Sequence, residues 1–122
     1  MLALLIDDDF AMRGLLEAQL STMNDVQTIT ARNGQEGLTA LQAEMPDIIF
    51  SDLNMPVMDG LTLWKTLRAE AKTEALPFVL ITSVPTKGTE SVRRDPRAWV
   101  LPKSSVNRQQ LVEIIEAVRP KA

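Results

Sequence analysis

Aspartates follow two apolar segments of the sequence, where a buried carboxylate would ordinarily be unfavourable. The segment ALLI at residues 3–6 runs directly into three aspartates at residues 7–9, and IIFS at residues 48–51 ends on Asp52. A carboxylate at the end of a core strand raises the free energy of the fold unless a nearby group requires negative charge. These aspartates therefore predict a functional site.

Two further polar residues end apolar segments later in the chain. Thr82 follows FVLI, and Lys103 follows AWVLP. A threonine hydroxyl and a lysine ammonium both suit phosphoryl oxygens, one as a hydrogen-bond donor and the other as a point charge. A carboxylate can attack phosphorus and form an aspartyl phosphate. Carboxylate ligands without His or Cys favour Mg²⁺, which commonly also keeps waters and binds a phosphoryl group. The residue types therefore predict phosphoryl-transfer chemistry with Mg²⁺.

Composition excludes several other classes of site. The 122 residues contain no cysteine and no histidine, and the net charge is −3. There is accordingly no disulfide framework, no Ser-His-Asp triad and no metal site with Cys or His ligands. The acidic balance argues against nucleic acid as a partner, and no apolar run approaches the ~20 residues that cross a bilayer. We expect one cytoplasmic domain over residues 1–122, without membrane contact and without an output domain.

The chain alternates short apolar segments with helical patterns, which is typical of βαβ units and a parallel sheet with right-handed crossovers. An open, doubly wound, five-stranded α/β sheet fits this length. Ligands of such sheets bind outside the carboxyl ends of the strands, which is where the acids, the threonine and the lysine lie. The predicted strands are residues 3–6, 26–31, 47–52, 78–82 and 98–101.

Four of the predicted helices have clear signals. Asp9 is a plausible N-cap, and Asn33-Glu36 and Asn107-Gln110 have the spacing of capping boxes. Asp59-Gly60 is interpreted as a turn and helix entry. The predicted apolar faces are Met12, Leu15, Leu16, Leu20 and Met23; Leu38, Leu41 and Met45; Leu63, Trp64, Leu67 and Ala71; and Leu111, Ile114, Ile115 and Val118.

The segment 83–97, SVPTKGTESVRRDPR, should contain the fourth helix but offers little apolar surface. Val92 is nearly the only large apolar residue in its middle, so we expect a short or displaced helix. Its arginines, Arg93, Arg94 and Arg97, fit a solvated face better than a binding patch.

The motifs LLIDDD, SDLNMPVMDG, VLITS and LPKS together resemble the receiver domain of two-component response regulators, close to stand-alone receivers of the chemotaxis type. The resemblance covers nearly the whole chain and implies a flavodoxin-like fold with strand order 2-1-3-4-5. It also implies a phosphoryl group taken from a histidine kinase or phosphotransfer protein and a change in binding to an unidentified downstream target. Such a chain is not a turnover enzyme on a separate substrate.

The resemblance implies a role for each site residue. Asp52 corresponds to the phosphoacceptor, Asp8 to a direct Mg²⁺ ligand and Asp7 to an acid that holds the metal through water. Asp52 and the backbone carbonyl of Asn54 complete the implied metal ligands. Thr82 corresponds to the switch hydroxyl and Lys103 to the lysine that reads the phosphoryl charge.

Some residues depart from the family pattern. Val100 stands where an aromatic residue is usual, with Trp99 beside it, and Ser104 follows the lysine where proline is common. In the family, movement of the switch threonine allows the aromatic residue three positions before the lysine to turn inward, and Val100 has no ring for this movement. Val84, two residues after Thr82, predicts slow loss of the phosphoryl group because its methyls would obstruct the water path.

Two other functions are compatible with parts of the pattern. A phosphorylation-independent adaptor could use the same fold, although it would not need the full set of acids, threonine and lysine. An aspartate-nucleophile phosphatase of the haloacid dehalogenase type needs a general acid two residues after the nucleophile. That position is Asn54, which cannot donate a proton in this way.

Overall fold

A five-stranded parallel sheet in the order β2-β1-β3-β4-β5 forms the centre of the computed structural model, which describes residues 1–83 and 88–119. This order confirms the predicted doubly wound fold. The strands are β1 (Leu2–Ile6), β2 (Gln27–Ala31), β3 (Ile48–Asp52), β4 (Phe78–Thr82) and β5 (Ala98–Pro102). The helices are α1 (Phe10–Ser21), α2 (Gly34–Ala43), α3 (Gly60–Arg68), α4 (Glu90–Arg93) and α5 (Arg108–Val118).

Helices cover both faces of the sheet, so the central strands are buried on both sides. Every residue of β3 and β4 is buried, whereas β2 lies at the edge and is buried only at Ala31. This explains why the central strands are continuous apolar runs and β2 alternates. One core layer joins the sheet to α1 and α5, and the other joins it to α2, α3 and α4.

Side-chain caps fix the starts of the helices that lead away from the site. Asp9 accepts a hydrogen bond from Ala11 N (3.0 Å), and Asp59 accepts one from Thr62 N (2.7 Å). These contacts confirm the predicted N-cap at Asp9 and the helix entry at Asp59. The capping box at Asn107 and Gln110 is complete.

The capping box predicted at Asn33 is only half formed. Asn33 Oδ1 accepts from Glu36 N at 2.9 Å, but the Glu36 carboxylate turns to Arg32 instead of the Asn33 backbone. It accepts from the Arg32 backbone N–H and from the Arg32 guanidinium, both at 3.1 Å. An i,i+4 ion pair therefore replaces the return bond of the box.

Three residues of the predicted apolar faces are exposed. Leu15 and Met45 are about half exposed, and Ala71 lies beyond the end of α3. Where the helix ends, Leu67 O accepts from the Thr73 hydroxyl at 2.6 Å and from Glu70 N at 3.3 Å. That carbonyl is the one that Ala71 N–H would bond if the helix continued.

The fourth helix has only four residues, as the polar character of its segment predicted. Val92 is completely buried and attaches α4 to the core layer beneath it. Burial of one valine side chain contributes about 1.5 to 3 kcal/mol. Residues 84–87 at the start of this connection, including Val84, lie outside the described residues.

Asp95 joins the connection between α4 and β5 to helix α3. Its Oδ2 accepts hydrogen bonds from Trp64 Nε1 at 2.8 Å and Arg68 Nε at 2.6 Å, and its Oδ1 accepts from Arg97 N at 2.9 Å. We call Asp95, Trp64, Arg68 and Arg97 the Asp95 network. Burial raises the pKa of Asp95, but the hydrogen bonds outweigh this effect and hold the pKa below its usual range. Trp64 is thus half-buried and hydrogen-bonded.

In the part of the chain that the structure describes, no helix is long and apolar enough to cross a membrane.

Candidate functional site

Three carboxylates converge at the carboxyl edge of the sheet. The strands β1 and β3 are paired so that Ile6 lies opposite Ser51, and Asp7 and Asp52 follow these partners directly. One oxygen each from Asp7, Asp8 and Asp52 lie within 4.8 Å of one another. Asp7 and Asp52 are buried and Asp8 is exposed. This spacing and this ligand chemistry fit a hard divalent cation that retains waters on its open side.

The backbone and side chain of Asp7 are held by three hydrogen bonds. Its N–H donates to Ala31 O (3.1 Å), its Oδ1 accepts from Asp9 N (2.8 Å), and its backbone carbonyl accepts from Arg13 Nη1 (2.6 Å). Its remaining carboxylate oxygen, Oδ2, lies 3.7 Å from Lys103 Nζ. The carboxylate is thereby fixed with one oxygen directed toward the other charged groups of the site.

Burial raises the pKa of Asp7 to about 6. The hydrogen bond from Asp9 N–H opposes this effect, and the negative charge of Asp52 adds to it. Burial likewise raises the pKa of Asp52, although the charge of Lys103 opposes the shift. Both carboxylates are therefore held in an environment that favours the arrival of positive charge.

Lys103 follows β5 in a single 3₁₀ turn and reaches back across the sheet edge. Its Nζ lies 3.3 Å from Asp52 Oδ2 and 3.7 Å from Asp7 Oδ2. Burial alone would lower the pKa of Lys103, but the charges of Asp52 and Asp7 outweigh it and raise the pKa above its usual range. One ammonium cannot neutralise three carboxylates, so the cluster retains net negative charge.

The other two predicted site residues lie on neighbouring segments. Thr82 is the last residue of β4 and is completely buried; in the pairing with β3, its predecessor Ile81 lies opposite Asp52. Asn54 is exposed in the loop after β3. Thr82 thus lies at the end of the strand next to Asp52. The role of the Asn54 carbonyl as a metal ligand stays a prediction.

The loop that follows Asp52 is tightly packed at its far end. Gly60 N donates to Leu53 O at 2.8 Å, and a Cβ at Gly60 would overlap the backbone oxygen of Asp52. On the other side of the loop, Met58 packs so closely on Gly34 that a Cβ there would lie 2.8 Å from Met58 Cγ. Glycines at these two places thus allow the loop to approach both α3 and α2.

Val57 occupies a strained turn within this loop. Its φ is +70°, and Met58 N donates to Pro56 O at 2.7 Å, which is the i→i+2 bond of a classic γ-turn. A β-branched residue is rarely found in this conformation. The Val57 side chain is 81% exposed. Strained residues of this kind cluster at functional sites.

Sequence reasoning missed Arg13, which bonds the backbone of Asp7, and the neighbouring exposed Phe10. The Arg13 Cζ atom lies 5.6 Å from the centroid of the Phe10 ring. The available signal was their i,i+3 spacing immediately after the aspartates, which places the two side chains one turn apart on the same side of α1.

Comparisons with known proteins agree on the type of domain. The family model described as response regulator receiver domain matches residues 3–116. A protein-glutamate methylesterase/protein-glutamine glutaminase of Methanococcoides burtonii is 34% identical over 87 residues, which are 70% of this chain and 24% of that protein. The chain thus spans about a quarter of the length of this curated relative.

Solved structures show the same architecture over almost the whole chain. Chemotaxis protein CheY4 of Vibrio cholerae superposes with a TM-score of 0.83 at 25% identity, covering 96% of this chain and 97% of that one. A CheY-like receiver domain from Methylobacillus flagellatus gives a TM-score of 0.82 at 25% identity, with 98% of each chain covered.

Proposed function

Because this chain belongs to the response regulator receiver domain family, we propose that it is a signalling switch in which Asp52 accepts a phosphoryl group. The observation that carries this proposal is the position of Asp52 Oδ2, 3.3 Å from Lys103 Nζ and in one cluster with Asp7 and Asp8. A carboxylate nucleophile, a cation site and a lysine are the parts that phosphoryl transfer to an aspartate requires.

The donor is a phosphohistidine on a partner, since this chain has no histidine of its own. An oxygen of Asp52 forms a bond to phosphorus while the bond from phosphorus to the donor nitrogen breaks, and the imidazole leaves. Asp7, Asp8, Asp52 and the Asn54 carbonyl would hold Mg²⁺, which would supply charge stabilisation to the phosphoryl oxygens.

Lys103 and Thr82 respond to the product. Transfer moves negative charge from the Asp52 carboxylate onto the phosphoryl oxygens, and the Lys103 ammonium, already within 3.3 Å of Asp52, can follow that charge. The Thr82 hydroxyl, at the end of the strand beside Asp52, can donate to the same oxygens. These movements would change the surface that meets the downstream partner.

The wider setting follows from the same proposal. The partners are a sensor histidine kinase or phosphotransfer protein and a downstream protein, in the cytoplasm and without nucleic acid or membrane contact. The chain promotes its own phosphorylation and does not turn over a separate substrate. We do not assign the methylesterase activity in the name of the relative to this chain, because the matched residues make up only 24% of that protein.

Incubation with acetyl phosphate and Mg²⁺ tests the proposal against the phosphorylation-independent adaptor. We expect the intact mass of the protein to increase by one phosphoryl group, and the increase to disappear when EDTA removes the metal. An adaptor would keep its mass under both conditions, and that result would exclude the proposed switch.

Mg²⁺ binding should weaken as the pH falls from 7 to 5. The pKa of Asp7 is about 6, so protons compete with the cation for this carboxylate in that range. In the metal-free protein, the raised pKa of Asp7 means that the folded state binds its proton more tightly than the unfolded state does. The stabilisation from protonated Asp7 is therefore complete below pH 3.8 and is lost as the pH rises through about 6.

Titration calorimetry with Mg²⁺ at pH 7 and pH 5 measures this dependence. Asp7→Asn is the matched control, because it removes the titrating carboxyl and should bind Mg²⁺ more weakly but with a smaller change between the two pH values. Equal affinity of the wild-type protein at pH 5 and pH 7 would show that Asp7 does not contribute to the cation site.

A further inference from the structure

Arg13 lies directly behind the turn that carries Asp7 and Asp8. Its Nη1 donates to the backbone carbonyl of Asp7 at 2.6 Å, in a half-buried position. A charged donor at this distance forms one of the stronger hydrogen bonds available to a backbone carbonyl. The bond spans six residues, from the end of β1 to the second turn of α1, and closes the turn between them.

Phe10 lies beside the Arg13 guanidinium. Phe10 is the first residue of α1 and is 80% exposed, yet its ring centroid lies 5.6 Å from Arg13 Cζ. An aromatic face at this distance attracts a cation and restricts its movement. The contact gives this solvent-facing phenyl ring a partner within the protein.

We propose that Arg13 is a positioning residue of the cation site, acting through the backbone carbonyl of Asp7 with Phe10 as its support. The inference rests on the proposed function, because it concerns the metal that the acids would bind. The Asp7 N–H is bonded to Ala31 O, and its Oδ1 is bonded to Asp9 N. A third bond, at the Asp7 carbonyl, would fix the orientation of the peptide that leads to Asp8. Arg13 supplies that bond, so the two neighbouring carboxylates are oriented before a cation arrives.

The charge of Arg13 acts in the opposite direction, which makes the proposal testable. A guanidinium near the acids repels a divalent cation, so its removal would strengthen binding if charge were its only effect. A positioning role therefore predicts weaker Mg²⁺ binding when Arg13 is removed, whereas charge repulsion alone predicts stronger binding.

Titration of the full chain with Mg²⁺ alone, followed by amide shifts in NMR spectra, decides between them. We expect Arg13→Ala to weaken Mg²⁺ binding about tenfold, the scale on which residues that orient metal ligands act. Arg13→Lys should recover part of the loss, because an ammonium can still donate to the Asp7 carbonyl. Phe10→Ala should weaken binding about two- to fivefold through the less restricted guanidinium.

Arg32→Ala is the matched control. Arg32 is exposed and bonds to Glu36 through its guanidinium and its backbone N–H, and neither of these contacts involves residues 7–9. Its removal should leave Mg²⁺ affinity unchanged or slightly stronger. Faster hydrogen exchange of the Asp9 amide in Arg13→Ala, with other amides unaffected, would show that the loss is local.

Two outcomes would overturn the inference, and they differ from failure of the proposed function. Equal or tighter Mg²⁺ binding in Arg13→Ala, with wild-type binding intact, would show that Arg13 acts only through its charge. Equal losses of Mg²⁺ affinity in Arg13→Ala and Arg13→Lys would show that a hydrogen-bond donor at this position is not enough to position Asp7. If the wild-type protein does not respond to Mg²⁺, both the cation site and its positioning residue are rejected.

Discussion

Asp52→Asn should abolish the mass gain that acetyl phosphate and Mg²⁺ produce in the wild-type protein. An amide at this position cannot attack phosphorus as a carboxylate does, so the chemistry stops while the shape of the side chain is preserved. The substitution also removes a buried group whose pKa is raised by burial, so the metal-free fold should not lose stability through lost charge. The measurement is intact mass against time for both proteins.

The matched control for this experiment is Asp59→Asn. Asp59 lies in the same loop and caps α3 by accepting from Thr62 N at 2.7 Å, a bond that an asparagine oxygen can also accept. It should gain the phosphoryl mass at the wild-type rate. Full mass gain in Asp52→Asn would instead place the acceptor at another carboxylate, and Asp7 and Asp8 would be the next to test.

Gly60→Ala should destabilise the fold and slow phosphoryl uptake together. A Cβ at this position would overlap the backbone oxygen of Asp52 and lie 2.8 Å from Leu80 Cδ1. The overlap with backbone can be relieved only by moving α3 or the end of β3. We expect a loss of about 3 kcal/mol in the free energy of unfolding, at the upper end of the range for overpacked sites.

Gly14→Ala provides a control of opposite sign. Gly14 lies in α1, and a Cβ there would meet nothing within 4 Å. Alanine in a helix interior is favoured over glycine by about 0.5 to 1 kcal/mol, so this variant should be more stable than the wild type. Urea unfolding of the two variants measures both effects. A Gly60→Ala protein as stable as Gly14→Ala would mean that the α3 contact with Asp52 is not close.

The acids, the threonine and the lysine could be predicted as a group because each ends a strand. Parallel strands bring their carboxyl ends to one edge, and the order of the strands then decides which ends are neighbours. The proximity of Asp7 and Asp52 follows from the pairing of β1 with β3, which the family resemblance implied and the structure confirms. Lys103 follows β5, which is two strands away from β3, so its distance of 3.3 Å from Asp52 depends on the side-chain conformation that only the structure gives.

The contacts that set the geometry of the site could not be predicted in the same way. The only signal for Arg13 was its i,i+3 spacing from Phe10, and that spacing does not reveal the bond to the Asp7 carbonyl, which depends on the turn that precedes the helix. The γ-turn at Val57 is contrary to residue preference, since a β-branched residue disfavours φ of +70°. Propensity describes isolated residues, whereas this loop is held by packing against two glycines.

The early end of α3 could not be predicted either. The spacing of Leu63, Leu67 and Ala71 favours a longer helix, and periodicity contains no information about the Thr73 hydroxyl that takes the Leu67 carbonyl. The short α4 was predicted because a shortage of apolar residues can be read directly from residues 83–97. Absence of core surface is thus easier to recognise than competition for one hydrogen bond.

Helix α3 is attached to the rest of the domain at its two ends by contacts of different kinds. Its first residue, Gly60, lies against the backbone of the proposed phosphoacceptor, and its last, Arg68, is joined to Asp95 in a connection leading to β5. The nine residues between these ends form a rod roughly 13 Å long. Because the helix is rigid and has a contact at each end, a shift of the Asp52 backbone would be expected to displace the connection that leads to β5.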